Sequence, residues 1–177
     1  EQFDWLQSWA IFQKSIPNGF TLAGNALNVG CGNSTMPEKL LEEGFAKVLN
    51  IDFSNVVIDQ MTKKYENEPR LEWKVGNCTN MDVNDQSYDC IFDKSTFDCL
   101  ACSDDAETQI NSYLNEVYRI LKPSGYFVMI SFAPEVTRIR YFKPFTQKLK
   151  ILSVIHVPKP EFPNSFHYIY LIVKQDI

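Results

Sequence analysis

The chain has 177 residues, of which 45% are hydrophobic and 14% aromatic, and this is enough for one globular domain with a sizeable core. Lys and Arg total 17 against 22 Asp and Glu, and the net charge of −5 argues against nucleic acid as a partner. No apolar run approaches the roughly 20 residues that span a bilayer, and the start of the chain lacks a signal-peptide pattern. We therefore expect a cytoplasmic protein with no membrane partner, and we favour a monomer.

The five cysteines are scattered and odd in number, which is typical of free thiols in a reducing compartment. Cys99 and Cys102 have the spacing of a redox or zinc pair. No second pair follows them, and only His156 and His167 could assist as ligands. We expect inert thiols and no metal site.

Residues 1–22 are rich in aromatic side chains and are interrupted by Pro17 and by the turn signal Asn18-Gly19. This composition predicts an irregular lid or packing arm. Its aromatic residues are Phe3, Trp5, Trp9, Phe12 and Phe20.

From Ala26 onward, short apolar runs alternate with helical periodicity, which indicates βαβ units around a parallel sheet. Strands are predicted over residues 27–29, 47–51, 71–75, 88–92 and 126–132. The helix after the first strand is predicted to begin at a capping box formed by Thr35 and Glu38 and to end at Gly44. Ser54 can cap a second helix that ends before Pro69.

A longer helix is predicted before the proline and glycine at 123 and 125, because apolar residues recur at helical spacing on one face. A mixed basic and aromatic loop should follow over 134–147. The runs 149–157 and 166–173 are joined by a proline-rich segment and predict an antiparallel pair that closes the sheet. We expect a single domain over 1–177, with a lid (1–22), a ligand-binding core (23–132), and a loop with a β-hairpin (133–177). The apolar face of the longer helix is Ile110, Leu114, Val117 and Leu121.

Residues 28–34 form a glycine-rich loop between the first strand and its helix. Such a loop presents bare backbone N–H groups and the positive end of a helix dipole to a polar or anionic ligand, and Gly30 and Gly32 permit close approach. A dinucleotide fingerprint requires a third glycine where Thr35 stands. Asp52, about 20 residues on, can accept both hydroxyls of a ribose or can simply cap the following helix. The combination favours S-adenosylmethionine over a nicotinamide dinucleotide.

Two further positions follow strands at the same edge of the predicted sheet. Asn77 and Cys78 stand where an adenine ring would be read by a side-chain amide and a backbone N–H, although a plain loop is the alternative. Asp93 leaves the fourth strand and is expected to face the centre of the crevice, where it could offset a sulfonium charge or hold an amine. The alternatives for Asp93 are a cap on Ser95 or an ion pair with Lys94.

Residues 27–34, 50–57 and 92–100 resemble the seven-stranded methyltransferases of the methyltransferase-like 13 group, which includes enzymes that methylate lysines of translation elongation factor 1A. The likeness extends to 3–5, 119–125 and 166–168, and so covers almost the whole chain. It implies a Rossmann-like α/β fold whose seven-stranded sheet is mostly parallel with an antiparallel last strand and helices on both faces. It also implies S-adenosyl-L-methionine as donor and S-adenosyl-L-homocysteine as product.

The resemblance further implies a set of donor-binding residues, with Trp5 folded over the donor. The family often has an acidic residue at the position of Asn77, which would change how the adenine amine is held but not the fold. Family members also have a further aromatic N-terminal stretch, so we expect part of their lid to lie outside this sequence. The full set of predicted cofactor-binding residues is Trp5, Gly30, Cys31, Gly32, Asn33, Asp52, Phe53, Asn77, Cys78 and Asp93.

The catalytic candidates are Asp93 and Tyr141. If the acceptor is a lysine, its ammonium must lose a proton, and an aromatic-lined channel lowers the amine pKa in the required direction. Tyr141, Phe142 and Phe166 are the candidates for that wall, and core packing is the alternative.

The resemblance and the basic-aromatic loop predict a protein lysine of elongation factor 1A as acceptor. A small-molecule methyltransferase and a catalytically silent donor-binding adaptor stay open as alternatives. The loop residues concerned are Arg138, Arg140, Tyr141 and Lys143.

Overall fold

A computed structural model describes residues 3–18, 20 and 23–176. The strands are β1 (Asn25–Val29), β2 (Lys47–Asp52), β3 (Leu71–Val75), β4 (Tyr88–Lys94), β5 (Leu121–Ser131), β6 (Leu149–Lys159) and β7 (Phe162–Lys174). The helices are α1 (Trp9–Ser15), α2 (Met36–Glu42), α3 (Asn55–Lys64), α4 (Thr96–Ala101), α5 (Ala106–Ile120) and α6 (Glu135–Phe142), followed by one 3₁₀ turn (Lys143–Phe145).

The seven strands form one sheet in the order β3-β2-β1-β4-β5-β7-β6. The pairs from β3 through β5 are parallel, whereas β7 is antiparallel to both β5 and β6. This arrangement confirms the predicted Rossmann-like fold with an antiparallel last strand. The chain reverses its winding direction at β1, which lies between β2 and β4, and open α/β sheets bind ligands at such a point.

The sheet separates two cores. One face packs against α4, α5 and α6, and the other packs against α1 and α2. Alternate residues of a strand serve opposite faces, so that Leu27 and Val29 belong to the first core and Ala26 to the second. None of the described helices is both long enough and apolar enough to cross a membrane.

Two helix signals in the sequence have different outcomes. Ser54 caps α3 as predicted, since its Oγ accepts a hydrogen bond from Val57 N. The capping box predicted at the start of α2 is not formed, because the side chain of Thr35 makes no capping hydrogen bond. Thr35 has helical backbone angles and its Oγ1 donates to Asp4 Oδ2 at 3.0 Å, while Ser34 Oγ accepts from the N–H of Met36.

The segment predicted as irregular contains α1, which is a correction. Trp9 and Phe12 lie one helical turn apart and are fully buried, and Trp9 Nε1 donates to Glu43 Oε1 at 2.6 Å. A helix of two turns is too short for periodicity to reveal it. Residues 1, 2, 19, 21 and 22 of the predicted lid, and with them Gly19 of the predicted turn, lie outside the described residues.

The predicted loop over 134–147 contains α6 and the 3₁₀ turn, which is a second correction. Arg138, Tyr141 and Phe142 form the buried face of α6 at helical spacing. Because one of these buried residues is an arginine, the sequence shows no apolar helical periodicity here, and the helix was not predicted. The predicted stop after α5 is a bulge within β5, where Ser124 has a φ of +59° and the register with β4 shifts.

Candidate functional site

A cavity of about 500 Å³ opens at the carboxyl ends of β1, β2, β3 and β4. This volume lies within the range of about 300–1,000 Å³ that is usual for small-molecule sites. Of the ten predicted donor-binding residues, seven line it, and Cys31, Asn33 and Asp93 lie outside its lining. The seven are Trp5, Gly30, Gly32, Asp52, Phe53, Asn77 and Cys78.

The two glycines of the loop have different structural roles, although both adopt positive φ, +64° at Gly30 and +54° at Gly32. A Cβ built on Gly30 would lie 1.9 Å from Thr96 Oγ1, which itself donates to Val29 O. A Cβ built on Gly32 meets none of the described atoms within 4 Å. Gly30 therefore lets the loop pack against α4, whereas Gly32 keeps backbone open to the cavity.

Asp52 ends β2 with only 8% of its surface exposed. Its Oδ2 accepts from Gly32 N at 2.9 Å and its Oδ1 accepts from Ser54 N at 2.9 Å. A carboxylate has about four acceptor positions, so these two bonds orient the group and leave capacity for two hydroxyl donors. Asp52 thus tethers the start of α3 and also presents a fixed acceptor to the cavity.

The loop after β3 contributes Gly76, Asn77 and Cys78 to the cavity lining. Asn77 Oδ1 accepts from both the N–H and the hydroxyl of Thr79, which fixes the amide plane. Burial raises the pKa of the Cys78 thiol to about 12, and the Asp93 carboxylate adds to that effect. Cys78 is therefore a neutral, weakly polar surface at neutral pH, which suits contact with an aromatic ring.

Lys94 is a cation in the cavity wall that is not among the predicted site residues. Its side chain is 6% exposed, and its Nζ lies 2.7 Å from Asp4 Oδ1. Burial lowers the pKa of Lys94, and the bond to Asp4 opposes that shift. A polar residue at the carboxyl end of a parallel strand was the available signal, but we assigned it to Asp93 rather than to its neighbour.

Asp93 does not face the crevice, which corrects its predicted role in catalysis and in donor binding. The carboxylate is fully buried and accepts from Thr96 N at 2.9 Å, Phe97 N at 2.9 Å and Tyr113 Oη at 2.8 Å. Successive strand residues point to opposite faces, so a strand that continues to Lys94 turns Asp93 toward α5. Desolvation by this burial raises the pKa of Asp93 to about 7.

Tyr141 and the proposed aromatic wall also lie elsewhere. Tyr141 is 7% exposed and packs edge-on against Phe97, and Phe142 stacks on the same ring. Phe166 instead contacts His156 on β6. The three rings therefore do not form one channel, and the core-packing alternative holds for Tyr141 and Phe142.

Arg138 was predicted as part of an acceptor-facing loop but is buried in an ion pair. Its Nη2 lies 2.8 Å from Asp98 Oδ1, and the two side chains are 8% and 2% exposed. Ser131 Oγ and Phe132 N also donate to Asp98. Arg138 therefore joins α6 to α4 and to the end of β5.

Cys31 and Asn33 belong to the loop but not to the cavity lining. The N–H of Cys31 donates to Ile51 O, and burial raises the pKa of its thiol. Asn33 Oδ1 accepts from Phe3 N at 3.3 Å. Both residues therefore hold the loop in place against neighbouring segments.

The groups around the cavity match the parts of S-adenosylmethionine. Asp52 offers a fixed acceptor to vicinal ribose hydroxyls, and Ile51, Phe53 and Leu100 offer apolar surface to the adenine ring. Lys94 could hold the carboxylate of the methionine part. The residues present therefore fit this donor.

Residues 27–129 match the family model described as a methyltransferase domain. This chain belongs to that methyltransferase domain family, and its fold and cavity are those of a Rossmann-like S-adenosylmethionine-dependent methyltransferase. The solved structure of the N-methyltransferase NodS from Bradyrhizobium japonicum WM9, in complex with S-adenosyl-L-homocysteine, has the same fold. Its TM-score is 0.73 at 15% identity, and the match covers 95% of this chain and 85% of NodS.

This chain is also similar in sequence to named methyltransferases. This chain is 26% identical to EEF1A lysine methyltransferase 4 of Mus musculus over 97% of its own length. It is 36% identical to the eEF1A lysine and N-terminal methyltransferase of Bos taurus over 60% of its length. The chain spans 68% of the mouse relative, 58% of the Bos taurus protein of the same name and 16% of the longer relative. These relatives confirm the resemblance described above.

Replacing Asp52 with Asn is expected to raise the dissociation constant for S-adenosyl-L-homocysteine by about 10–100-fold, since hydrogen bonds to charged groups contribute about 1.5–3 kcal/mol. Isothermal titration calorimetry measures this constant directly. Asp59→Asn is the matched control, because Asp59 is exposed on the neighbouring helix α3 and undergoes the same loss of charge. Equal affinities for the two variants would contradict a ribose contact at Asp52.

Proposed function

We propose that this chain transfers a methyl group from S-adenosylmethionine to a lysine side chain of a translation elongation factor of the 1A type. The observation that carries the proposal is the similarity over 97% of the chain to EEF1A lysine methyltransferase 4 of Mus musculus. The net charge of −5 is also suited to a basic protein partner. An enzyme with this acceptor acts in the cytoplasm, which we propose as its location.

In this proposal the donor-binding residues are those that line the cavity. Asp52 holds the ribose, Asn77 and Cys78 border the adenine, and Lys94 faces the amino-acid end. Bound S-adenosylmethionine supplies an electrophilic methyl group on a sulfonium. The chain's own contribution is to fix that group in line with a nucleophile and to exclude water.

Phe132 replaces Tyr141 and Phe166 as the proposed aromatic contact for the acceptor. It follows β5 directly, is 46% exposed, and lies with its ring 5.4 Å from the guanidinium of Arg138. Phe132 lies near the cavity. Ser95, which lines the cavity, donates its N–H to the carbonyl oxygen of Ile130, two residues before Phe132. Desolvation of an incoming lysine against this apolar ring would disfavour its charged form and so lower its pKa.

The geometry of the site supports the two alternative functions, a small-molecule methyltransferase and a silent adaptor, less well. A small-molecule acceptor would call for a closed pocket behind Asp93, but Tyr113 fills that side of the carboxylate. Asp93→Asn would not test the silent-adaptor alternative cleanly, because Asp93 is a buried structural group. Asp52→Asn is the better test, since an adaptor would keep its protein partners without any methylation to lose.

The test is to incubate the protein with tritiated S-adenosylmethionine and purified elongation factor 1A, and to map any methylated residue by mass spectrometry. We expect label on a lysine of the elongation factor, and at least tenfold less with Asp52→Asn than with Asp59→Asn. No label on the elongation factor, together with label on small molecules alone when a cell extract replaces it, would overturn the proposed acceptor.

A further inference from the structure

The segment 3–7, called the strap here, places Trp5 in the lining of the donor cavity. Asp4 bonds to one residue of the cavity lining and to one residue outside it. Its Oδ1 accepts from Lys94 Nζ at 2.7 Å, at the end of β4, and its Oδ2 accepts from Thr35 Oγ1 at 3.0 Å, directly before α2. One carboxylate therefore joins the strap to the end of β4, which lines the cavity, and to the residue that follows the glycine-rich loop.

The strap is also held at its two ends. At its start, the N–H of Phe3 donates to Asn33 Oδ1 in the glycine-rich loop at 3.3 Å. At its far end, Gln7 is buried, and its Nε2 lies 2.9 Å from His167 Nδ1 and donates to Pro158 O at 3.2 Å. These contacts hold the two ends of the strap, and between them the bonds of Asp4 hold its centre.

Trp5 stands at that centre and lines the cavity, although 65% of its surface is exposed. Its ring meets Phe3 edge-on at 5.3 Å, and Phe3 is itself 56% exposed. Leu6, the next residue, has a φ of +67°, a conformation that is unfavourable for leucine. The indole therefore depends on the bonds of its neighbours, rather than on its own burial, to stay over the cavity.

The ion pair of Asp4 is poorly suited to a purely stabilising role. The side chains of Asp4 and Lys94 are 20% and 6% exposed, so both lose most of their hydration. Such desolvation commonly cancels the Coulomb attraction of a pair, and an apolar contact would stabilise the fold as well. What the charges add is a directional link between the strap and the cavity wall.

We propose that Asp4 is a positioning residue for donor binding, which fastens the strap to Lys94 and Thr35 so that Trp5 covers the bound donor. The inference rests on the methyltransferase class and not on the identity of the acceptor. Donor affinity is measured without an acceptor, so failure of the proposed acceptor and failure of this inference give different results.

The test measures S-adenosyl-L-homocysteine affinity by calorimetry for Asp4→Asn, Thr35→Val and the control Asp59→Asn. We expect the dissociation constant to rise about tenfold for Asp4→Asn and about threefold for Thr35→Val, because the first loses a charged bond and the second a neutral one. Asp59→Asn should bind as the unmodified protein does. The KM for the donor should rise in parallel, with kcat at saturating donor changed less than twofold.

A double-mutant cycle with Trp5→Ala separates positioning from general stability. If Asp4 acts through Trp5, the double variant Asp4→Asn/Trp5→Ala should bind no more weakly than Trp5→Ala alone. Effects that multiply would overturn the inference. It would also be overturned if Asp4→Asn lowered the thermal unfolding midpoint while donor affinity stayed the same, and Thr35→Val gives an independent answer should Asp4→Asn fold poorly.

Discussion

Replacing Arg138 with Met is expected to lower the free energy of unfolding by about 3–5 kcal/mol, because it leaves the buried carboxylate of Asp98 without its cation. Both Asp98 oxygens remain bonded to neutral donors, Ser131 Oγ and Phe132 N, which cannot compensate the charge. Urea unfolding at neutral pH measures the loss.

Arg140→Met is the matched control for this prediction, because Arg140 lies on the same helix but is exposed. It should change stability by less than about 1 kcal/mol. Replacing both partners, as Asp98→Leu with Arg138→Met, should recover part of the loss since no charge is then left buried. Equal losses for Arg138→Met and Arg140→Met would mean that the pair does not compensate Asp98.

Asp93 should make the protein less stable as the pH rises toward neutrality. Desolvation raises its pKa in the fold to about 7, from an ordinary value of 3.8, so the folded state binds this proton more tightly than the unfolded state does. The resulting stabilisation is complete below pH 3.8 and is lost as the pH rises through about 7. The full difference is on the order of 4 kcal/mol.

The measurement is the free energy of unfolding of the protein and of Asp93→Asn between pH 4 and pH 8. The advantage of the unmodified protein over the variant should shrink as the pH rises, because the amide does not titrate. Other titrating groups, His167 among them, cancel in this difference. A difference for Asp93→Asn that stays constant over this pH range would contradict the raised pKa.

The parts of the fold that could be predicted depend on neighbours in the chain. The strand before the glycine-rich loop, the cap at Ser54 and the stop at Gly44 each follow from a few consecutive residues. Asp52 belongs with them, since a carboxylate at the end of β2 must lie beside the loop once β1 and β2 pair.

The parts that failed depend on pairs that are distant in the chain. Asp93 and Lys94 are consecutive residues of β4 and point to opposite faces, and the buried position of Asp93 depends on Tyr113, 20 positions away. Arginine is usually a surface residue, and the burial of Arg138 is favourable only because it pairs with Asp98, 40 positions away. Thr35 offered a plausible cap, but Asp4, 31 positions away, takes its hydroxyl.

Strand β7 is the last of the seven to be synthesised, yet it lies between β5 and β6. When β6 leaves the ribosome, its neighbour in the finished sheet does not yet exist, and its backbone donors and acceptors face water or another chain. The first five strands can pair in parallel before that point, but the two strands beyond β5 cannot join the sheet until β7 inserts. In a nascent chain of this protein, the edges of β5 and β6 that pair with β7 therefore stay unpaired while the 15 residues from the end of β6 to the end of β7 are translated. That interval is when association with other nascent chains is most favourable and when a chaperone would be most effective.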